Sequence, residues 1–515
     1  MDCKVNFEEC ELAILRSAVD SIDKEAGKKM INNPEIKTII EIVEAFLKKK
    51  KLICYGGTAI NNLLPIEDQF YNKDIELPDY DFFSPKPLED AKELADIYYK
   101  KGFTDVEAKS GVHAGTFKVF VNYIPVADIT YIVPELFKTL KKESKTRDGI
   151  LYTSPDYLRM LMYLELSRPH GDVSRWEKVL KRLTLLNKHY PLKGDNCSSE
   201  QIQRIFEIGV KKEIILKGKE IKKYLISDKK KISKKYLQAL QENIFELTLN
   251  TLIERGCIFF GGYANKLFYK TIKRKSRKKD ISKIPDFDVL SEEPKITANI
   301  LKDTLEENGY KDISIIKKAG VGEVIAEHLE LRVGRETILF IYKPIACHSY
   351  NVLKLHGKKL RIATIDTMLS FYLAFLFVDR DYYIKNRIIC MCEYLFKAQK
   401  RNKLKQKGLL KRFSIDCYGE QRTIQRMRAE KTEMFHKLKD KRNSKKFQWW
   451  FLRYIPREIE DRKKIMRKKA KPCKKAKPCK KKTCKNKTCK NKTCKNKTCK
   501  KAKPCKNKTR KIKQI

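Results

Sequence analysis

Acid is missing from the end of this chain: from Arg462 to Ile515 there are 27 Lys and Arg and not one Asp or Glu. Of the formal net charge of +50, that leaves +23 for the residues before it, so both portions are basic. A charge balance of this sign points to a polyanionic partner, nucleic acid ahead of an anionic membrane surface. A long apolar run is missing as well, since the longest, Met368 to Val378, is too short for a bilayer. The opening MDCKVNFEECEL lacks the charged-then-apolar pattern of a secretory signal. Paired CxxC motifs are absent from the body, where nine of the 16 cysteines are scattered. Together these absences predict a cytoplasmic protein with reduced thiols and no membrane partner.

What is present starts with length: 515 residues, 42% of them hydrophobic, allow about two to four domains with cores of their own. Lys51 to Asn62 reads KLICYGGTAINN, in which a short apolar strand ends in Gly56-Gly57-Thr58 and passes into a helix-compatible stretch. Backbone N–H groups at such a helix start face outward and suit a phosphate. In the following ELPDYDFFS, Asp79 and Asp81 stand at i and i+2, on one face of a strand, with Tyr80 on the other. Thr116 to Thr130, TFKVFVNYIPVADIT, is rich in β-branched and aromatic residues, reads as a strand pair, and holds a lone acid, Asp128.

Adjacent carboxylates repel unless a cation lies between them. Strand, Gly-Gly-Thr, helix, DxD on a strand and a single Asp on a later strand, in that order, predict a metal-dependent nucleotidyl transfer site. Asp79, Asp81 and Asp128 are its expected ligands for two Mg²⁺ or Mn²⁺ ions, and Gly56, Gly57 and Thr58 its grip on a triphosphate. Asp128 is also placed to assist deprotonation of an attacking 3′-hydroxyl.

YGGTAINN, PDYDFFS and IPVADIT resemble the signature of the DNA polymerase β-like nucleotidyltransferase superfamily, and more closely the poly(A) polymerase catalytic subunits of large DNA viruses, over roughly residues 30 to 400. The resemblance implies an α/β (α+β) fold, ATP as substrate, an RNA 3′ end as primer, and the three aspartates as metal ligands. It further implies host cytoplasm, a viral factory or the virion as the setting, and a homodimer as the assembly. Thr58 departs from the Gly-Ser that many superfamily members carry, but keeps the hydroxyl.

The pattern then recurs. CIFFGGYANKL at Cys257 to Leu267 parallels LICYGGTAINN, IPDFDVLSEEP at Ile284 to Pro294 parallels LPDYDFFSPKP, and YKPIAC at Tyr342 to Cys347 parallels YIPVAD. An internal duplication explains all three matches. The second copy keeps Gly261, Gly262, Asp286 and Asp288, but Cys347 stands where the string comparison sets the third carboxylate. A thiol is a poor Mg²⁺ ligand, so this copy is expected to be catalytically inactive. Tyr152, Tyr157 and Arg175 are candidate base or phosphate contacts, although the burial habits of these residue types favour core aromatics and a surface charge.

The expected division is a helical segment over 1–33, a catalytic module with its following helices over 34–190 and a connection over 191–235. A degenerate module over 236–400, a basic and aromatic helical region over 401–461 and a disordered tail over 462–515 complete it. The tail has too little apolar surface to order itself, and its cysteines, five or six apart and without histidine, do not match a zinc spacing. Activities left open are adenylyl transfer to RNA, the same chemistry with another specificity (CCA addition, uridylyl transfer, oligoadenylate synthesis), and a non-enzymatic RNA-binding scaffold.

Overall fold

The structure, a computed structural model, describes residues 7–72, 77–197, 234–272, 287–334, 336–355, 357–402 and 406–461. Asp286, most of the basic insertion 270–283, most of the connection and the tail lie outside them. Helix α1 (Phe7–Ile31) leads into α2 (Pro34–Lys50). Asn33 starts α2, its side chain accepting the Glu35 N–H at 2.9 Å with Pro34 at the first helical position. The buried stripe Ile36, Ile39, Val43, Phe46 and Leu47 packs α2 down and delivers the chain to β1 (Ile53–Tyr55).

There follow α3 (Gly56–Leu63), β2 (Tyr80–Ser84), α4 (Pro87–Lys100), β3 (Val106–Ser110), β4 (Thr116–Val121), β5 (Ile124–Tyr131), α5 (Pro134–Glu143), β6 (Lys145–Arg147), β7 (Ile150–Tyr152), α6 (Pro155–Leu166) and α7 (Trp176–His189). The strands form one mixed sheet in the order β3-β4-β5-β2-β1-β7-β6, with β2 parallel to β5 and β1 parallel to β7. Ser154 caps α6 by accepting the Tyr157 N–H.

The second copy repeats this topology. It contains β8 (Ile258–Phe259), β9 (Phe287–Leu290), β10 (Ile313–Lys318), β11 (His328–Val333), β12 (Glu336–Tyr342), β13 (His348–Leu355) and β14 (Lys358–Ala363). Their order, β10-β11-β12-β9-β8-β14-β13, matches the first sheet strand for strand, and the parallel pairs β9/β12 and β8/β14 recur. The helix Ile365–Phe375, every residue of it buried, packs against α6, so the modules meet through corresponding helices. Beside that contact the Ser349 N–H donates to the Ser167 carbonyl at 2.8 Å. The protein is thus mixed α/β, with two mixed sheets flanked by helices.

Residues after 401 serve both modules. β15 (Cys417–Tyr418) extends the second sheet beyond β13, and β16 (Arg453–Tyr454) extends the first beyond β3. Trp449 packs edge-on against Phe117 and Tyr131 of the first sheet.

The expectation of reduced thiols does not hold throughout. Cys197–Cys390 and Cys347–Cys417 are disulfides, and Cys10 is disulfide-bonded too. The fold brings each of the first two pairs to Cα separations of 5.3 and 5.2 Å across 193 and 70 residues of sequence, which the scattered spacing did not reveal. Cys54, Cys257 and Cys392 are free and buried.

Candidate active site

The site is built where β1 ends. The chain turns at Gly56 with φ +75°, a left-handed backbone that favours glycine, and enters α3 at once. A Cβ on Gly56 would lie 2.4 Å from Asp81 Oδ2, and one on Gly57 would lie 2.4 Å from the Tyr71 hydroxyl and 2.9 Å from an Arg182 nitrogen. Both glycines therefore let functional side chains approach the backbone. The Thr58 hydroxyl is already engaged: the residue is buried, and the hydroxyl donates to the Asp79 carbonyl at 2.6 Å. It fixes the DYD segment against α3, and the backbone amides of the helix start remain for a phosphate.

Asp81 lies on β2 directly opposite Asp128 on the parallel strand β5, and Asp79 immediately precedes β2 at the exposed rim. Tyr80 faces the other way, buried, with its hydroxyl donating to Glu44 at 2.6 Å. Burial, then the charges of Asp79 and Asp128, push the Asp81 carboxyl up to about 7. Asp79 is raised as well, by desolvation first and the Asp128 charge second. Lys118, opposite Asp128 on β4, bonds to its carboxylate. Three neighbouring carboxylates, of which Lys118 pairs with Asp128, make a cluster that a hard divalent cation would relieve, and oxygen-only donors suit Mg²⁺ or Mn²⁺.

Two basic residues in line with Arg175 went unrecognised in the sequence. Arg175, Lys178 and Arg182 recur at helical spacing into α7, and the first two bear on the acids, Lys178 favouring ionised Asp79 and Arg175 ionised Asp81. Arg182 donates to the Tyr71 hydroxyl at 2.7 Å and lies near both Phe70 and Tyr71, its guanidinium 4.6 and 5.3 Å from the ring centres. The spacing within SRWEKVLKR was the available signal. Arg175 itself is exposed and pairs with Glu165 at 3.3 Å. Tyr152 and Tyr157 are core: Tyr152 is buried with its hydroxyl accepting from Asn62, and Tyr157 packs edge-on against Phe83 and Phe377.

The second copy differs from expectation in one respect. Asp288 occupies the place of Asp81, close against Gly261 as Asp81 is against Gly56. The residue opposite it on the parallel strand is Phe340, not Cys347. Asp128 is therefore replaced by a buried aromatic, and Cys347 falls beyond the end of β12 and bonds to Cys417. The likeness of YIPVAD to YKPIAC misled because strand register, set by the β9/β12 pairing, decides equivalence. Tyr372 fills in behind, donating to the carbonyls of Phe260 and Gly261 at 2.6 and 3.0 Å, and Tyr263 in the place of Thr58 packs edge-on against Phe245 and Phe287 and at a tilt against Phe259. Gly262 opens the helix after β8.

Residues 41–172 match the family model of the poly(A) polymerase catalytic subunit. A putative poly(A) polymerase catalytic subunit of African swine fever virus is 37% identical over 196 residues, covering 37% of this chain and 41% of that protein. One from Acanthamoeba polyphaga mimivirus is 35% identical over 167 residues, covering 31% of this chain and 27% of that one. The chain thus spans less than half the length of these curated relatives. The crystal structure of the Megavirus polyadenylate synthase superposes with a TM-score of 0.69 at 21% identity, covering 92% of each chain. Residues 41–172 are thus similar in sequence to poly(A) polymerase catalytic subunits, and the chain shares its fold with the Megavirus polyadenylate synthase.

Proposed function

We propose that this chain is a template-independent RNA adenylyltransferase, adding AMP from ATP to the 3′ ends of messenger RNA with release of pyrophosphate. The observation that carries this is the register of β2 on β5, which sets Asp81 beside Asp128, next to Asp79 and in front of a left-handed glycine turn. The names of the relatives, poly(A) polymerase and polyadenylate synthase, support adenylation as the specificity. Asp79, Asp81 and Asp128 would hold two Mg²⁺ or Mn²⁺ ions, which when bound supply charge stabilisation to the attacking and leaving oxygens.

The chain's own residues do the rest. Amides at the start of α3 receive phosphate oxygens, and Arg182, held over the Phe70 ring beside Gly57, neutralises the triphosphate. Asp128, oriented by Lys118, accepts the proton of the primer's 3′-hydroxyl. The basic body and Lys-rich tail supply the charge that RNA phosphates need. In the second module Phe340 removes the third carboxylate, and the module buttresses the first through the paired helices.

The test is a labelled RNA primer incubated with each nucleoside triphosphate in turn, with Mg²⁺ or Mn²⁺. Extension is expected with ATP and lost in Asp79→Ala, Asp81→Ala or Asp128→Ala proteins whose circular dichroism matches the parent. Full extension by folded Asp128→Ala protein would remove this site, and equal use of all four nucleotides would remove the adenylating specificity.

A further inference from the structure

Outside the carboxylate site, three metal-ligating side chains converge at the seam between the modules. His170 comes from the turn between α6 and α7 of the first module, Cys347 from the loop between β12 and β13, and Cys417 from β15. Their ligand atoms, one ring nitrogen and two sulfurs, all lie within 4.8 Å of one another. His170 Nδ1 stands 3.5 Å from Cys417 Sγ. Bonds of ~2.3 Å to sulfur and ~2.0 Å to nitrogen give a tetrahedral zinc site S–N edges of about 3.5 Å and an S–S edge of about 3.8 Å. The edge from His170 to Cys417 is therefore already in place. The sulfur–sulfur edge opens only when the Cys347–Cys417 bond is broken.

We propose that, once this disulfide is reduced, the two thiolates and His170 bind a zinc-class ion whose fourth position is open to solvent. Two equivalents of a small thiol supply the two electrons, leaving two protein thiols and one small-molecule disulfide. The ion then displaces one proton from each thiol and takes the lone pair of neutral His170. Sulfur and imidazole select zinc over magnesium, so this site and the aspartates draw on different ions. His170 is exposed, which gives the ion a way in. The exchange has a structural consequence. The disulfide ties two segments of the second module to each other, whereas the metal also recruits the first, beside the Ser349–Ser167 backbone bond.

The test uses the full chain with its seven tail cysteines changed to serine, reduced with dithiothreitol, desalted without oxygen and titrated with Co²⁺. One equivalent should give the thiolate charge-transfer and tetrahedral d–d bands, which Zn²⁺ abolishes and Mg²⁺ does not. Cys347→Ser and Cys417→Ser should each remove the bands, His170→Ala should weaken binding by about tenfold or more, and Cys197→Ser should leave them. The same protein with its disulfide intact should give none, a comparison that needs no substitution in the folded body. Absence of bands after reduction, or bands that persist with the disulfide intact or in Cys347→Ser, would overturn the proposal.

Discussion

Replacing Gly56 by alanine separates the two things that glycine does. The left-handed backbone, φ +75°, costs an alanine about 1–2 kcal/mol. Its Cβ would also sit 2.4 Å from Asp81 Oδ2, where ordinary contact begins at 3.4 Å, so carboxylate or backbone must give by 1.0 Å. Misplacing a reacting or ligating group by that much costs on the order of 100-fold in rate. Gly149→Ala is the matched control: φ is +79°, and the nearest atom to its Cβ is a Lys48 methylene at 3.5 Å. Both proteins should lose similar stability in thermal melts. Only Gly56→Ala should slow single-nucleotide addition at saturating ATP and primer, by about 100-fold. A wild-type rate in folded Gly56→Ala protein, or an equal loss in Gly149→Ala, would refute the argument that Asp81 acts where the structure sets it.

Four further outcomes are expected. Arg182→Ala should lower kcat/KM for ATP by roughly 10–100-fold, the worth of a charge-assisted hydrogen bond, with Arg182→Lys recovering part of it; unchanged steady-state kinetics would remove Arg182 from the triphosphate. Asp288→Ala should leave extension near the parent rate, since Phe340 already denies that site its third carboxylate; arrest in a folded protein would make the second module a working site. His348 is buried against Phe371 with neither ring nitrogen partnered, and burial, aided by Arg168, lowers it to about 3. The unfolded chain takes up its proton below about 6.5 and the folded one does not, so stability present above that value is lost on acidification, about 2 kcal/mol by pH 5. Urea melts of His348→Phe should show a smaller acid loss than the parent, and equal losses would contradict this. Finally, α1 exposes Leu12, Leu15, Val19 and Ile22 at three-four-three spacing, the seam of a paired helix, with Glu11 and Arg16 flanking it. If two copies pair there, light scattering should report a dimer for the parent and a monomer for Leu15→Glu; a parent that runs as a monomer would end the idea.

Much of this architecture was readable before any coordinates. Asn33-Pro34 and Ser154-Pro155 announced their helices because capping chemistry is local. The duplicated Gly-Gly and DxD strings announced two modules because each string sits within one strand and its turn. What could not be read depends on partners distant in sequence. The third position of the second site is decided by which residue of β12 lies opposite Asp288, and a six-residue string cannot state a register. The Thr58 hydroxyl looked free for phosphate until the Asp79 carbonyl arrived beside it. The Cys347–Cys417 pair spans 70 residues.

The two short strands that finish the sheets also set a timetable for synthesis. β3 ends at Ser110, while its outer neighbour β16 begins at Arg453, and β13 likewise waits for β15. At ~5–20 residues per second, a ribosome takes about 17–70 s to cover that first gap, during which β3 presents an unpaired edge. An open edge invites other strands. The first module, although it precedes the second in the chain, is therefore among the last parts to be sealed, and chains cut short before Arg453 leave its outer edge exposed.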